Sequence, residues 1–204
     1  MLVARYKPLI DRVVRPLAAL LARLGVSPSA ITLAIPLLAT LACLWFAHTR
    51  RVGPFCAVIL VIGALDGLDG AVARVSGRVT KFGSYLDAVC DRYFETIVMV
   101  AGASVTGYWF LSMVALAGSL VISYAKARTA LEVSISNTEW PDLMERTERG
   151  LVYLAGLLAA DRLAWRPLGR DLFWWTLLAL TVLIHATVLQ RVLRARRFIT
   201  ERGG

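Results

Sequence analysis

Asp66-Gly67-Leu68-Asp69-Gly70-Ala71-Val72-Ala73-Arg74 is followed, after eight residues, by Gly83-Ser84-Tyr85-Leu86-Asp87-Ala88-Val89-Cys90-Asp91. These carboxylates lie beside, and partly inside, long apolar runs. A carboxylate at membrane depth costs at least about 2.5–3.5 kcal/mol, so it marks a functional site. Residues three or four apart on a helix share a face. Asp66, Asp69, Gly70, Ala73 and Arg74 follow that spacing, and so do Gly83, Asp87 and Asp91. Two such helices joined by a short loop are antiparallel neighbours, which predicts four carboxylates converging in one pocket. Four hard oxygen donors suit Mg²⁺, Mn²⁺ or Ca²⁺ rather than zinc or copper. Four like charges this close cannot all ionise without a cation. Metal in turn points to phosphate chemistry. The small residues Gly70, Ala73 and Gly83 leave room for a nucleotide or phosphate to approach the backbone, and Arg74 is placed to meet a phosphate oxygen.

Two other readings of these charges compete with that one. A structural ion-pair network with Arg74 and Arg92 accounts for two acids, but not for four at helical spacing with glycines between them. A cation-binding transporter site is the rival of another class, since intramembrane carboxylates also mark ion pathways. Such sites lie near the bilayer midplane, whereas these acids all sit at one edge of the apolar layer.

Outward from this stretch, the chain reads as an integral membrane protein. Hydrophobic residues make up 58% of its 204 residues and the mean hydropathy is +0.65, well above a soluble domain. A spanning helix needs about 20 mostly apolar residues. Six segments are read as spans: 30–49, 53–74, 82–105, 108–129, 149–165 and 172–193. Carboxylates interrupt the second and third, and the fifth is short and carries Asp161 and Arg162. All are read as helices, because backbone groups cannot stay unpaired in lipid and nothing alternates as a barrel strand would. Start and turn signals fall between them: Ser27-Pro28 opens the first span, Arg51-Val52-Gly53-Pro54 and Gly107 mark outer turns, and Ser76–Thr80 joins the second span to the third. The only sizeable hydrophilic stretch covers 131–149.

The first 25 residues show no compact apolar core with a small-residue cleavage site, so no cleavable signal is read there. Leu2, Tyr6, Leu9, Ile10, Val13, Val14, Leu17, Leu20 and Leu21 share one helical face, with Arg5, Lys7, Arg12, Arg15 and Arg23 mostly elsewhere. That pattern suits a helix lying in the headgroup layer. The expected fold is therefore an all-α integral membrane protein and a single domain over 1–204. An amphipathic juxtamembrane helix over 1–25 precedes a six-helix bundle over 30–193. Net charge is +9. Lys and Arg cluster at the N-terminus and in 74–81, 126–149 and 191–202, while the opposite connections hold Arg50, Arg51, Arg162, Arg166 and Arg170. The positive-inside rule then places both termini and the Asp-rich loop in the cytoplasm, in a multi-pass cell (inner) membrane protein. Basic residues that flank spans do not form a nucleic-acid surface, and no nucleic-acid partner is expected. Cys43, Cys56 and Cys90 lie in apolar context without ligand spacing, so neither a disulfide nor a zinc site is read.

The spacing Asp-x2-Asp-Gly-x2-Ala-Arg-x8-Gly-x3-Asp-x3-Asp resembles the signature of the CDP-alcohol phosphotransferases at every position. The resemblance covers nearly the whole chain. It implies attack of an acceptor hydroxyl on the β-phosphorus of a CDP-linked donor, with release of CMP. It implies a two-metal site of Mg²⁺ or Mn²⁺ held by Asp66, Asp69, Asp87 and Asp91, with Asp91 as general base. It assigns Asp66, Asp69, Gly70, Ala73, Arg74, Gly83 and Asp87 to the CDP-donor group, and it suggests a homodimer.

Later residues resemble the prokaryotic phosphatidylinositol-phosphate synthases in particular. Ser123 and Lys126, Arg146 or Arg149 of Glu145-Arg146-Thr147-Glu148-Arg149, and Arg191 match a pocket for the phosphate of inositol 1-phosphate. Several cations and a hydroxyl suit a dianionic monoester. The positive-inside pattern alone would also place basic residues at these helix ends. The stretch 131–144 departs from those synthases, with Glu139, Trp140 and Asp142 in place of small residues. The expected activity is transfer of a phosphatidyl group from CDP-diacylglycerol to inositol 1-phosphate. The nearest rival is a phosphatidylglycerol-phosphate synthase using glycerol 3-phosphate, which would want a similar basic pocket.

Overall fold

The computed structural model describes residues 14–134, 140 and 143–202. The expected surface helix before residue 14, together with Glu139 and Asp142, lies outside the described residues. The described residues are all-helical, with no β-strand among them. They fall into two compact units: one runs up to His48 and includes Ala57–Val98, the other comprises Thr49–Cys56 and everything from Met99 onward.

In the first unit, α1 is helical over 14–23. Its Val14, Ala18, Leu21 and Ala22 pack with Ile31, Leu65, Leu68, Ala71 and Val72. α1 ends at Gly25, where φ is +74°. The amide of Val26 donates to the carbonyl of Leu21 and that of Gly25 to Ala22, a left-handed stop that favours glycine. α2 (Pro28–Thr49) starts as the sequence predicts. Ser27 Oγ accepts from the Ala30 amide at 3.4 Å, and Pro28 takes the first helical position, where its missing donor costs nothing.

α3 (Val52–Leu65) and α4 (Leu68–Val75) divide a stretch that hydropathy alone reads as one span. The break falls at Asp66 and Gly67: the Asp66 amide bonds to the Gly63 carbonyl at 3.4 Å, a tightened last turn, and Gly67 caps α4. Asp competes with the helix for backbone bonds and Gly lacks helix propensity, so the pair stops one helix and starts another. α5 (Lys81–Thr106) opens under Thr80, whose Oγ1 accepts from the Gly83 amide at 2.9 Å. The turn expected over Arg51–Pro54 is shorter than read: Arg50, with φ 55°, and Arg51 form the link, and Val52, Gly53 and Pro54 already belong to α3. Proline is tolerated in a first turn, where no intrahelical acceptor awaits its nitrogen.

The second unit contains the end of α5, then α6 (Trp109–Glu132), α7 (Arg146–Arg162), a 3-10 turn over Pro167–Gly169 and α8 (Leu172–Arg202). α8 packs along both α6 and α7. Close approach is possible because glycines stand at the contacts. A Cβ at Gly118 would come within 2.6 Å of Ile184, and one at Gly156 within 2.4 Å of Thr176. Phe55, Leu157, Phe173, Leu177, Leu180 and Ile184 fill the interior of this unit, with the Tyr153 and Phe173 rings edge to face at 5.1 Å. α7 begins before the apolar run does, because the Glu148 carboxylate accepts from the Glu145 amide at 3.1 Å in a capping box.

Among the described residues, four helical stretches are long and apolar enough to cross a membrane: Pro28–Thr49, Val52–Val75 across the α3–α4 break, Trp109–Glu132 and Leu172–Arg202. Leu33, Leu37, Leu41 and Leu44 on α2 are exposed, as are Val182 and Leu189 on α8. Apolar surface this extensive is at rest in lipid rather than water. The protein is membrane-embedded. α8 has 31 residues, about 46 Å at 1.5 Å per residue, which outruns a hydrocarbon core of about 30 Å.

Candidate functional site

Asp66 stands at the α3–α4 break, and Asp87 and Asp91 stand one turn apart on α5. One carboxylate oxygen from each lies within 4.8 Å of the others. Three hard anionic donors converging this closely fit a divalent cation bound through oxygen, and suit Mg²⁺, Mn²⁺ or Ca²⁺ better than zinc or copper. All three residues are half-buried, so the group is open enough to share its cation with a phosphate.

Asp69 is not one of these three. It is buried in the first turn of α4. Its Oδ2 accepts from the Thr32 hydroxyl at 2.5 Å and its Oδ1 from the Gly70 amide at 2.5 Å. Thr32 is itself buried on α2, so α2 fixes the direction of the Asp69 carboxylate. Arg74 closes α4, and its guanidinium lies over Gly70: a Cβ there would meet Nη1 at 3.3 Å. Gly70 therefore gives Arg74 its position. At Gly83, a Cβ would come within 3.1 Å of the Thr80 hydroxyl that caps α5. Arg92 places Nη2 3.5 Å from Asp91 Oδ2 and Nη1 4.0 Å from Glu95 Oε2. Part of the ion-pair network expected from the sequence, the Arg92–Asp91 pair, is thus present.

Thr32, Thr80 and Glu95 lie outside the signature spacing of the sequence. Thr80 carries a legible signal, a threonine just before a helix with a glycine three residues on. Thr32 carries none, since its partner lies 37 residues away.

The second unit holds the other group of candidates. Ser123 and Lys126 lie about one turn apart on α6, both half-buried. Arg149 on α7 is buried, and its Nη1 donates to the Met144 carbonyl at 3.2 Å. Arg146, one turn earlier, is half-buried. Arg191 on α8 is buried and donates through Nη1 to the carbonyl of Ile122, the residue before Ser123. Guanidinium groups are tolerated at such depth only when paired or hydrogen-bonded.

Residues 25–188 match the CDP-alcohol phosphatidyltransferase family, four-fifths of the chain. The chain belongs to the CDP-alcohol phosphatidyltransferase family. Like other members it is a phospholipid-synthesising transferase. This phosphatidyltransferase is 28% identical to an archaetidylinositol phosphate synthase of Pyrococcus horikoshii, over 96% of its own length and 97% of the relative's. It is 34% identical to a phosphatidylinositol phosphate synthase of Mycobacterium marinum, over 85% of its length and 76% of the relative's. Its fold matches the phosphatidylinositol phosphate synthase of Mycobacterium tuberculosis solved with CDP-DAG bound, with a TM-score of 0.78 and 26% identity, covering 90% of this chain and 94% of that one. The same synthase solved with manganese and citrate matches with a TM-score of 0.78 and 26% identity, covering 89% and 88% of the two chains.

Proposed function

We propose that this phosphatidyltransferase moves a phosphatidyl group from CDP-diacylglycerol to inositol 1-phosphate, releasing CMP and giving phosphatidylinositol phosphate. The observation that carries the reading is the trio Asp66, Asp87 and Asp91, with oxygens within 4.8 Å inside the stretch that matches this family. Relatives named for inositol phosphate products, archaeal and bacterial alike, support that acceptor over glycerol 3-phosphate. A solved neighbour with CDP-DAG supports the donor.

In this mechanism Asp66, Asp69, Asp87 and Asp91 would hold Mg²⁺ or Mn²⁺, with two ions as the proposed stoichiometry. When bound, the cations neutralise the diphosphate and make CMP a better leaving group. Arg74 binds a diphosphate oxygen, and Gly70, Ala73 and Gly83 let the CDP group approach the backbone. Asp91 takes the proton from the inositol hydroxyl. The hydroxyl oxygen forms a bond to the β-phosphorus, the bridging bond from that phosphorus to CMP breaks, and CMP leaves with the bridging oxygen. Ser123, Lys126, Arg146, Arg149 and Arg191 serve the phosphate of the acceptor, which suits several donors around a dianion.

The accompanying architecture is proposed in the same terms. The chain 1–204 forms one catalytic domain, with α1 the end of a juxtamembrane helix over 1–25. α5 and α7 join the four apolar stretches to make six spans, and the protein works as a homodimer in the cell (inner) membrane. The basic clusters support a cytoplasmic site and cytoplasmic termini.

The test is CMP release by purified protein with Mg²⁺ and CDP-diacylglycerol, with inositol 1-phosphate, glycerol 3-phosphate, free inositol or serine supplied in turn. Selective release with inositol 1-phosphate is expected. Release with glycerol 3-phosphate alone would retain the donor chemistry and overturn the acceptor. Thr32→Val gives a second expected outcome. Valine keeps the shape but removes the donor to a buried carboxylate, a loss of about 1–3 kcal/mol. kcat/KM for CDP-diacylglycerol should fall about tenfold, with an unchanged yield of folded protein. An unchanged kcat/KM would show that Asp69 keeps its position without Thr32.

A further inference from the structure

The C-terminal end of α8 carries a stripe that the reaction as described leaves unused. Gln190, Arg194, Phe198 and Arg202 recur every four residues and so share one side of the helix. Each of them engages the stretch that joins α6 to α7. Arg202 Nη1 donates to the Ser134 carbonyl at 3.1 Å. Arg194 places its guanidinium carbon 5.8 Å from the centre of the Trp140 ring, and the Phe198 ring lies 5.6 Å from Trp140 at an interplanar angle of 58°. The Leu143 amide donates to Gln190 Oε1 at 3.1 Å. Trp140 is 3% exposed, an unusual depth for a tryptophan in an otherwise hydrophilic stretch. An aromatic ring held by a cation on one side and a tilted ring on another is fixed in position as well as buried.

The Gln190 end of the stripe leads to the candidate acceptor residues by two routes. Gln190 is followed directly by Arg191, whose guanidinium reaches the α6 backbone beside Ser123. Leu143 is followed by Met144, whose carbonyl accepts from Arg149. We infer that Trp140 is a positioning residue for the phosphorylated acceptor: seated between Arg194 and Phe198, it holds Leu143 and Met144 so that Arg149 and Arg191 are presented in fixed orientation to the acceptor phosphate. This rests on the acceptor reading above. The physical gain is preorganisation, since flexible cations ordered only on binding reduce affinity by the entropy of ordering them.

The test compares Trp140→Ala and Trp140→Phe with the parent protein in CMP release, varying acceptor and donor separately. Trp140→Ala should raise KM for inositol 1-phosphate about tenfold, the scale of one charge-assisted hydrogen bond, and leave KM for CDP-diacylglycerol unchanged. Trp140→Phe keeps a ring for Phe198 and Arg194 and should restore most of the acceptor affinity. Equal rises in both KM values, or no change in either, would overturn the inference. If the parent protein turns over glycerol 3-phosphate instead, the inositol reading fails, and the same split in KM is read with that acceptor. A measurement independent of any acceptor is hydrogen exchange at the amides of 145–149. Trp140→Ala should speed it, and unchanged exchange would also overturn the inference.

Discussion

Asp91→Asn is expected to lower kcat for CMP release by about 10²–10⁴-fold, the range associated with loss of a general base, while CDP-diacylglycerol still binds. Asparagine matches aspartate in size and keeps a hydrogen-bonding side chain, so the change removes charge and basicity rather than shape. The neighbouring Arg92 would not be stranded, because Glu95 Oε2 lies 4.0 Å from its Nη1. A loss confined to kcat, with donor affinity retained, identifies an interaction made in the transition state. Donor titration with purified variant, alongside steady-state CMP release, separates the two quantities. Full activity in the variant would remove Asp91 from the role of base. A parallel collapse of donor binding would leave Asp91 with the metal-holding role alone.

The second large effect is expected at Asp66. It occupies the end of α3, where Asn is as well tolerated as Asp, so Asp66→Asn leaves the helix break intact. One of three convergent carboxylates loses its charge. Mn²⁺ affinity, read by electron paramagnetic resonance of the detergent-solubilised protein, should fall by more than about 100-fold. That exceeds the 10–100-fold typical of an outer-shell partner, because a ligand itself is lost. Turnover should fall with it and recover only partly at high Mg²⁺. Asp69→Asn provides the contrast: its oxygens are engaged by Thr32 and Gly70, so its loss should weaken Mn²⁺ less than that of Asp66. Unaltered Mn²⁺ binding in Asp66→Asn, with turnover lost, would place Asp66 on the CDP group and not on the metal.

Much of this arrangement is legible in the sequence because it is local. The step of four from Asp87 to Asp91 is a property of any helix, and Ser27-Pro28 declares its own cap. Hydropathy is a coarser guide where charge and apolarity are mixed. It runs across Asp66-Gly67 without a pause, although the backbone breaks there. It also ends the last span at residue 193, although α8 continues to Arg202; the arginines of 191–202 are good helix formers and need no membrane to stay helical. The start of α7 is set by Glu145 and Glu148 rather than by its apolar residues. Long-range partners were beyond reach. The hydrogen bond from Thr32 to Asp69 spans 37 residues and that from Leu143 to Gln190 spans 47. Trp140 registered in the sequence only as a departure from related synthases, and its seat on Arg194 and Phe198 gives that departure a physical basis.

The most direct measurement is mass analysis of the lipid product formed when purified protein receives Mg²⁺, CDP-diacylglycerol and inositol 1-phosphate together. The account predicts phosphatidylinositol phosphate in amounts equal to the CMP released, and neither product when the divalent cation is chelated. Absence of both products with every phosphorylated polyol, from protein that binds Mn²⁺ tightly at the Asp66, Asp87 and Asp91 trio, would contradict it and leave a cation-binding membrane protein in its place.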